Sequence, residues 1–213
     1  MAHEYRARDL LVNPIVIVDT LAPPILFVAL NAWLGLRGAA VGAVSLSLLL
    51  VAARLWRRER LLYAVSGLAG ALLGVAVALA SGAAEAYFLP GIVTSVVMGV
   101  ACIASILVKR PLIAFSGAAI TRWPLDWYWQ DQVRPAYSEI TWAWATFYLG
   151  KAALQSLLAA RGEVGWLAVT KVLTGWPSFA VLIVVTYAYI NWRLARLDAP
   201  TVDEWRAGYR PLP

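Results

Sequence analysis

Three ionisable residues stand inside long apolar runs of this sequence, and a fourth marks the edge of one: Asp19, Lys151, Lys171 and Glu139. An ionisable group in hydrocarbon costs at least about 2.5–3.5 kcal/mol on insertion scales, so each needs a partner or a task. Asp19 is followed by Pro23 and Pro24, which remove two backbone donors and predict a broken helix. Its carboxyl then caps the helical half after the break, pairs with Arg122 or Arg134, or exchanges a proton beside a cavity opened there. Lys151 and Lys171 lie on runs joined by a short connection, at about 13 Å and 10 Å below the same edge by helical rise. Neither has an acid close in sequence. They snorkel to the headgroups, share an anion such as a lipid phosphate, or one of them is uncharged.

Trp144, Tyr148, Lys151 and Gln155 are spaced by 4, 3 and 4 and so share a helical face. A polar and aromatic stripe on a membrane helix faces the bundle interior or a cavity. Thr94, Met98, Cys102 and Ser105 make a second face, and Lys171, Thr174 and Ser178 a third. Hydroxyl faces of that kind serve as helix-packing glue. Gly67, Gly70 and Gly74 with Ala71 predict close helix approach.

The third feature is aromatic. Trp123, Trp127, Tyr128, Trp129, Trp142 and Trp144 cluster in sequence with Asp126, Asp131 and Glu139. Carboxyls beside indole faces suit a cation-forming reaction on an apolar substrate: an acid protonates an alkene or epoxide, and ring quadrupoles stabilise the carbocation. The sharpest expectation is a metal-independent, protonation-initiated membrane terpene cyclase acting on an isoprenoid or similar lipid. Asp19, Asp126, Asp131 and Glu139 supply the acid or base, and Trp127, Trp129, Trp142, Trp144, Tyr148, Lys151, Gln155 and Lys171 bind substrate. The competing expectation is a non-catalytic anionic-lipid binder, transporter or envelope scaffold, with a tryptophan-rich interfacial anchor and solvated acids. No P-loop, GxGxxG, GxSxG, HExxH or DDxxD motif is present. One cysteine and one histidine, His3, exclude a disulfide framework, a CxxC pair and a histidine-based metal cage, and no cofactor is expected.

These residues must be positioned by an all-α, polytopic membrane protein. The chain has 213 residues, 62% hydrophobic and only 14% charged, with a mean hydropathy of +0.70. A soluble domain is near half apolar and a quarter charged. Runs long enough to span, or nearly so, cover Ile15–Leu36, Gly38–Ala53, Leu61–Ser81, Phe88–Val108, Glu139–Ala160 and Val164–Trp192. Gly175-Trp176-Pro177 is the place for the last to bend. With both termini cytoplasmic, the inside segments hold Arg6, Arg8, Arg54, Arg57, Arg58, Arg60, Lys109, Arg110, Arg122, Arg134, Arg193, Arg196, Arg206 and Arg210. The outside loops hold Arg37 and Arg161. Fourteen cations against two follows the positive-inside rule and accounts for the net charge of +6 without nucleic acid. Residues 1–14 and 193–213 are then cytoplasmic tails, and 15–192 a six-helix domain. Pro111–Ser138, between the fourth and fifth helices, is an interfacial or re-entrant element. The polar N-terminus runs into a full span, which predicts no cleavable signal. Membrane lipids and an apolar small molecule are the expected partners, and the oligomeric state is open.

The order of segments resembles the bacterial septation protein A family and a related actinobacterial family of uncharacterised membrane proteins. The matching pieces are Val18-Asp19-Thr-Leu-Ala-Pro23-Pro24-Ile-Leu-Phe27, Phe88-Leu-Pro90-Gly91, Lys109-Arg110-Pro111-Leu112-Ile113 and Thr141-Trp142-Ala-Trp144-Ala-Thr-Phe147. The resemblance implies a multi-span protein of the bacterial inner membrane and brings no established reaction. This sequence departs from the family pattern in its aromatic Trp123–Gln132 segment and in Lys151, where arginine is expected.

Overall fold

A computed structural model describes residues 14–56 and 61–208, with the side chains of residues 14–21, 54, 61–64 and 66 outside the description. No strand occurs among the described residues. In chain order the helices are α1 (Pro14–Trp56), α2 (Leu61–Ser81), a 3-10 turn (Ala84–Phe88), α3 (Leu89–Leu107), α4 (Leu112–Thr121) and α5 (Leu125–Tyr128). They are followed by α6 (Arg134–Ala160), α7 (Val164–Leu173), α8 (Trp176–Arg196) and α9 (Val202–Arg206). Three stretches are long and apolar enough to cross a membrane: Ala22–Ala53, Ala84–Leu107 and Val164–Arg196. Gly67–Ser81 and Leu112–Thr121 are shorter apolar helices. Large side chains such as Val41, Leu49, Val97, Val181 and Val184 are exposed along these helices, the reverse of a water-soluble bundle. The chain is a membrane protein.

The break expected at Pro23 and Pro24 does not form; both prolines are buried and α1 stays helical through them. A proline costs one hydrogen bond and some crowding, and packed membrane helices absorb that loss. The helix breaks instead at Gly35, with φ 68° and ψ −177°. That conformation is essentially reserved for glycine, which has no Cβ to clash. Beyond it the chain folds back, so that Gly42 lies against Leu30. The first two apolar runs are thus arms of one helical hairpin. The last run divides where the Gly175-Trp176-Pro177 signal predicts, between the end of α7 at Leu173 and the start of α8 at Trp176.

The chain forms two compact units. One comprises the chain up to Val93 together with Ala153–Ala180. Its core is Phe27, Ala39, Ala40, Ala43, Val75, Ala78, Tyr87, Phe88 and Leu167. The alanines let helix backbones approach closely, as membrane helices require when no hydrophobic force separates lipid from protein. Gly74 serves the same purpose: a Cβ there would stand 2.8 Å from the Tyr87 carbonyl oxygen.

The other unit comprises Thr94–Ala152 and the chain from Val181. Its core gathers Ala114, Trp127, Tyr128, Val133, Tyr137 and Val202. Local chemistry builds the chain reversal that leads there. Lys109, left-handed at φ 57°, ends α3, and the Arg110 N–H donates to the Ser105 carbonyl at 2.8 Å. The Ser105 hydroxyl donates to the Cys102 carbonyl at 2.6 Å and accepts the Leu112 N–H at 3.0 Å, which fixes the start of α4. Arg122, at φ 58°, ends α4 in the same left-handed way. In α9, Thr201 and Glu204 make a capping box.

Candidate functional site

The aromatic segment folds in on itself in the second unit. Trp127 and Tyr128 are buried, their rings 4.9 Å apart edge to face, and Tyr137 stands 5.0 Å from Tyr128. The Trp127 indole N–H donates to the Pro200 carbonyl at 2.9 Å, and the Tyr128 and Thr121 hydroxyls share a hydrogen bond at 2.9 Å. The polar tips of Trp127 and Tyr128 thus both have partners, as packed amphipathic rings require. Burial pushes the Tyr128 and Tyr137 phenols up from their ordinary pKa, and for Tyr137 the neighbouring Tyr128 adds to the rise. Trp123 packs edge to face on Trp127 at 5.1 Å. Trp129 packs at the edge of that core, tilted at 5.2 Å from Phe115 with the Arg110 guanidinium 4.7 Å above its ring.

The acids divide into engaged and exposed. Glu139 accepts two hydrogen bonds from Arg193, at 2.8 and 2.9 Å, and a third from the Tyr189 hydroxyl at 2.6 Å. Asp131 pairs with Arg134 at 2.8 Å and is largely exposed. Asp126 is exposed, beside the buried Trp127 but outside its hydrogen bonds. Asp19 stands in α1, and its side chain lies outside the described residues.

Helix α6 carries the polar stripe. In the second unit, the Trp144 indole N–H donates to the Thr186 hydroxyl at 2.9 Å, and its ring lies 5.9 Å from Tyr148. One turn on, Lys151 is half-buried, with no hydrogen-bond or ion-pair partner among the described residues. Trp142, off this face, is exposed and has no ring partner among them. Gln155 belongs to the first unit; it is buried, and its amide has no hydrogen bond among the described residues.

Lys171 also belongs to the first unit. Its ammonium lies 5.2 Å from the Tyr87 ring centroid and 5.3 Å from that of Phe88, while Phe27 stacks on Tyr87 at 4.2 Å. Two ring faces supply part of the stabilisation that water would otherwise give the cation. The two lysines that sequence depth placed together thus have different surroundings: Lys171 has rings, and Lys151 has no charge partner.

Sequence reasoning missed four partners. Thr186, Tyr189 and Arg193 fall at helical spacing on α8 and serve Trp144 and Glu139, a stripe visible as i, i+3 and i+7. Tyr87, one residue before the Phe88-Leu-Pro90-Gly91 signature, is the ring beneath Lys171.

Residues 14–196 match a family described as "protein of unknown function (DUF3159)", and the chain belongs to that family. No curated protein and no solved structure matches the chain.

Proposed function

We propose that this protein is a multi-pass protein of the bacterial cytoplasmic membrane, six spans with both termini inside, that binds an anionic amphiphile through Lys151. Lys151 carries the reading: a half-buried cation in α6, on the helical face of Trp144 and Tyr148, with no acid to neutralise it among the described residues. A charge in such a place is retained when a ligand supplies the opposite one. A phosphate or carboxylate headgroup meets the ammonium, and the Trp144 and Tyr148 rings pack its apolar part. The direct test is the lipid that co-purifies with Lys151→Met: one anionic species bound by wild type is lost, while neutral lipid is retained. An envelope or septation scaffold is the alternative use of such a binder, and the matched family, of unknown function, lends it no support.

The cyclase reading needs a buried acid free to protonate an alkene. Glu139 is occupied by three donors, while Asp126 and Asp131 face outward. That reading therefore rests on Asp19, ahead of Pro23 and Pro24, and Asp19→Asn tests it by the loss of any cyclised product.

A further inference from the structure

We propose that α4, with the arginines at its two ends, is a docking surface for anionic phospholipid headgroups of one membrane leaflet. Ten residues of helix rise about 15 Å, half of what a span needs, so α4 cannot cross a bilayer. One side of it, Ile113, Ala114 and Ala118, packs on the core that holds Trp127 and Tyr128. Phe115 and Ile120 flank that packed side and are exposed, at 42% and 73%. Arg110 precedes the helix and Arg122 follows it; both are exposed, and neither has a carboxylate partner among the described residues.

The column at the start of α4 gives the surface its polarity. The Arg110 guanidinium lies over Trp129, and Trp129 lies against Phe115. Cation, indole and phenyl ring thus follow in the order that a leaflet presents phosphate, interface and acyl chain. Stacking on the indole orients the planar guanidinium and leaves its N–H fork to grip a phosphate through two oxygens. Asp126, exposed nearby, opposes one cation, and Asp131 is already paired with Arg134. The balance at α4 stays positive, with Lys109 adding to Arg110 and Arg122. Free phosphate would use the arginines but not the apolar side between them, so the occupant is lipid.

The test titrates the purified full chain in neutral detergent with phosphatidylglycerol, phosphatidylcholine or glycerol phosphate, reading bound lipid by native mass spectrometry and the thermal midpoint. Wild type retains phosphatidylglycerol and is stabilised by it, and Arg110→Gln with Arg122→Gln weakens retention about tenfold or more. Arg110→Lys with Arg122→Lys binds at a level between wild type and the glutamine variant, because the charge stays and the two-pronged grip is lost. The phosphatidylglycerol preference survives in Lys151→Met, which separates this surface from the site on α6. Undiminished retention by the double glutamine variant overturns the proposal. Equal stabilisation of wild type by phosphatidylcholine, or by glycerol phosphate, also overturns it and decides the matter if the glutamine variant does not fold.

Discussion

Glu139 and Arg193 meet across 54 residues of sequence in a two-pronged pair, 2.8 Å from Nε to Oε2 and 2.9 Å from Nη2 to Oε1. The pair ties the first turn and a half of α6 to the last turn of α8 within the second unit. Tyr189, one turn before Arg193, adds its hydroxyl to the same carboxylate oxygen as the Arg193 Nε. Planar fork geometry makes this pair more specific than a point-charge contact. Its side chains are 29% and 38% exposed, and solvent screens part of the attraction. A thermal or chemical unfolding cycle with Glu139→Gln, Arg193→Met and the double variant returns a small favourable coupling. Strict additivity would show that the contact holds nothing.

Gly70 and Gly74 separate two meanings of glycine on one helix. Gly74→Ala drives a methyl onto the Tyr87 carbonyl and lowers stability by about 1–3 kcal/mol. Gly70 has nothing within 4 Å, so Gly70→Ala is neutral or stabilising by roughly 0.5–1 kcal/mol. Thermal midpoints of the two variants in the same detergent check the contrast, and equal midpoints contradict it. Gly35→Ala forces φ +68° on a side chain and costs about 1–3 kcal/mol by the same assay.

The helices and their apolar character are legible from composition and runs, because membrane insertion demands both of the local sequence. The Gly175-Trp176-Pro177 break is legible too, since a proline fits the first turn of a helix but not its interior. The reversal near Gly35 is legible as the boundary at Arg37 between the first two apolar runs, though not the glycine that makes it, whereas Pro23-Pro24 reads as a break and is not one. The partners of Glu139 were hidden for another reason: Arg193 lies 54 residues away, and charge counting assigned it to a solvated tail. Trp127 was read as a ring at the headgroup level or a cavity wall. It is core because Pro200 and Val202 come back from the C-terminal side to cover it, a contact that no local pattern announces.

Trp127→Phe keeps the ring but removes the N–H that holds the Pro200 carbonyl. Losing one buried hydrogen bond costs about 1 kcal/mol and loosens the segment that leads into α9. Hydrogen exchange over residues 197–206 rises in this variant and stays unchanged over α3. Unaltered exchange at 197–206 would mean that the indole bond does not hold the C-terminal segment.

Alkaline pH gives a second test of the same knot. Burial raises the Tyr128 and Tyr137 phenols above the ordinary 10.0, so the folded state keeps their protons longer than the unfolded state does. Stability from these groups is complete below about pH 10 and is lost as pH climbs toward the folded values. Tyr137→Phe cannot ionise and flattens the decline, which unfolding followed from pH 8 to about pH 11 would reveal. An unchanged slope in Tyr137→Phe contradicts the burial account.

Lys151 bears the central claim, and lipid mass spectrometry of the detergent-extracted protein tests it most directly. Wild type, Lys151→Met and Asp19→Asn are compared for what they retain. The account predicts that Lys151→Met binds one anionic amphiphile fewer than wild type and Asp19→Asn, keeping the phospholipid at Arg110 and Arg122, while neutral lipid stays the same in all three. A total of anionic lipid undiminished in Lys151→Met, or an isoprenoid altered only by Asp19→Asn, would contradict it.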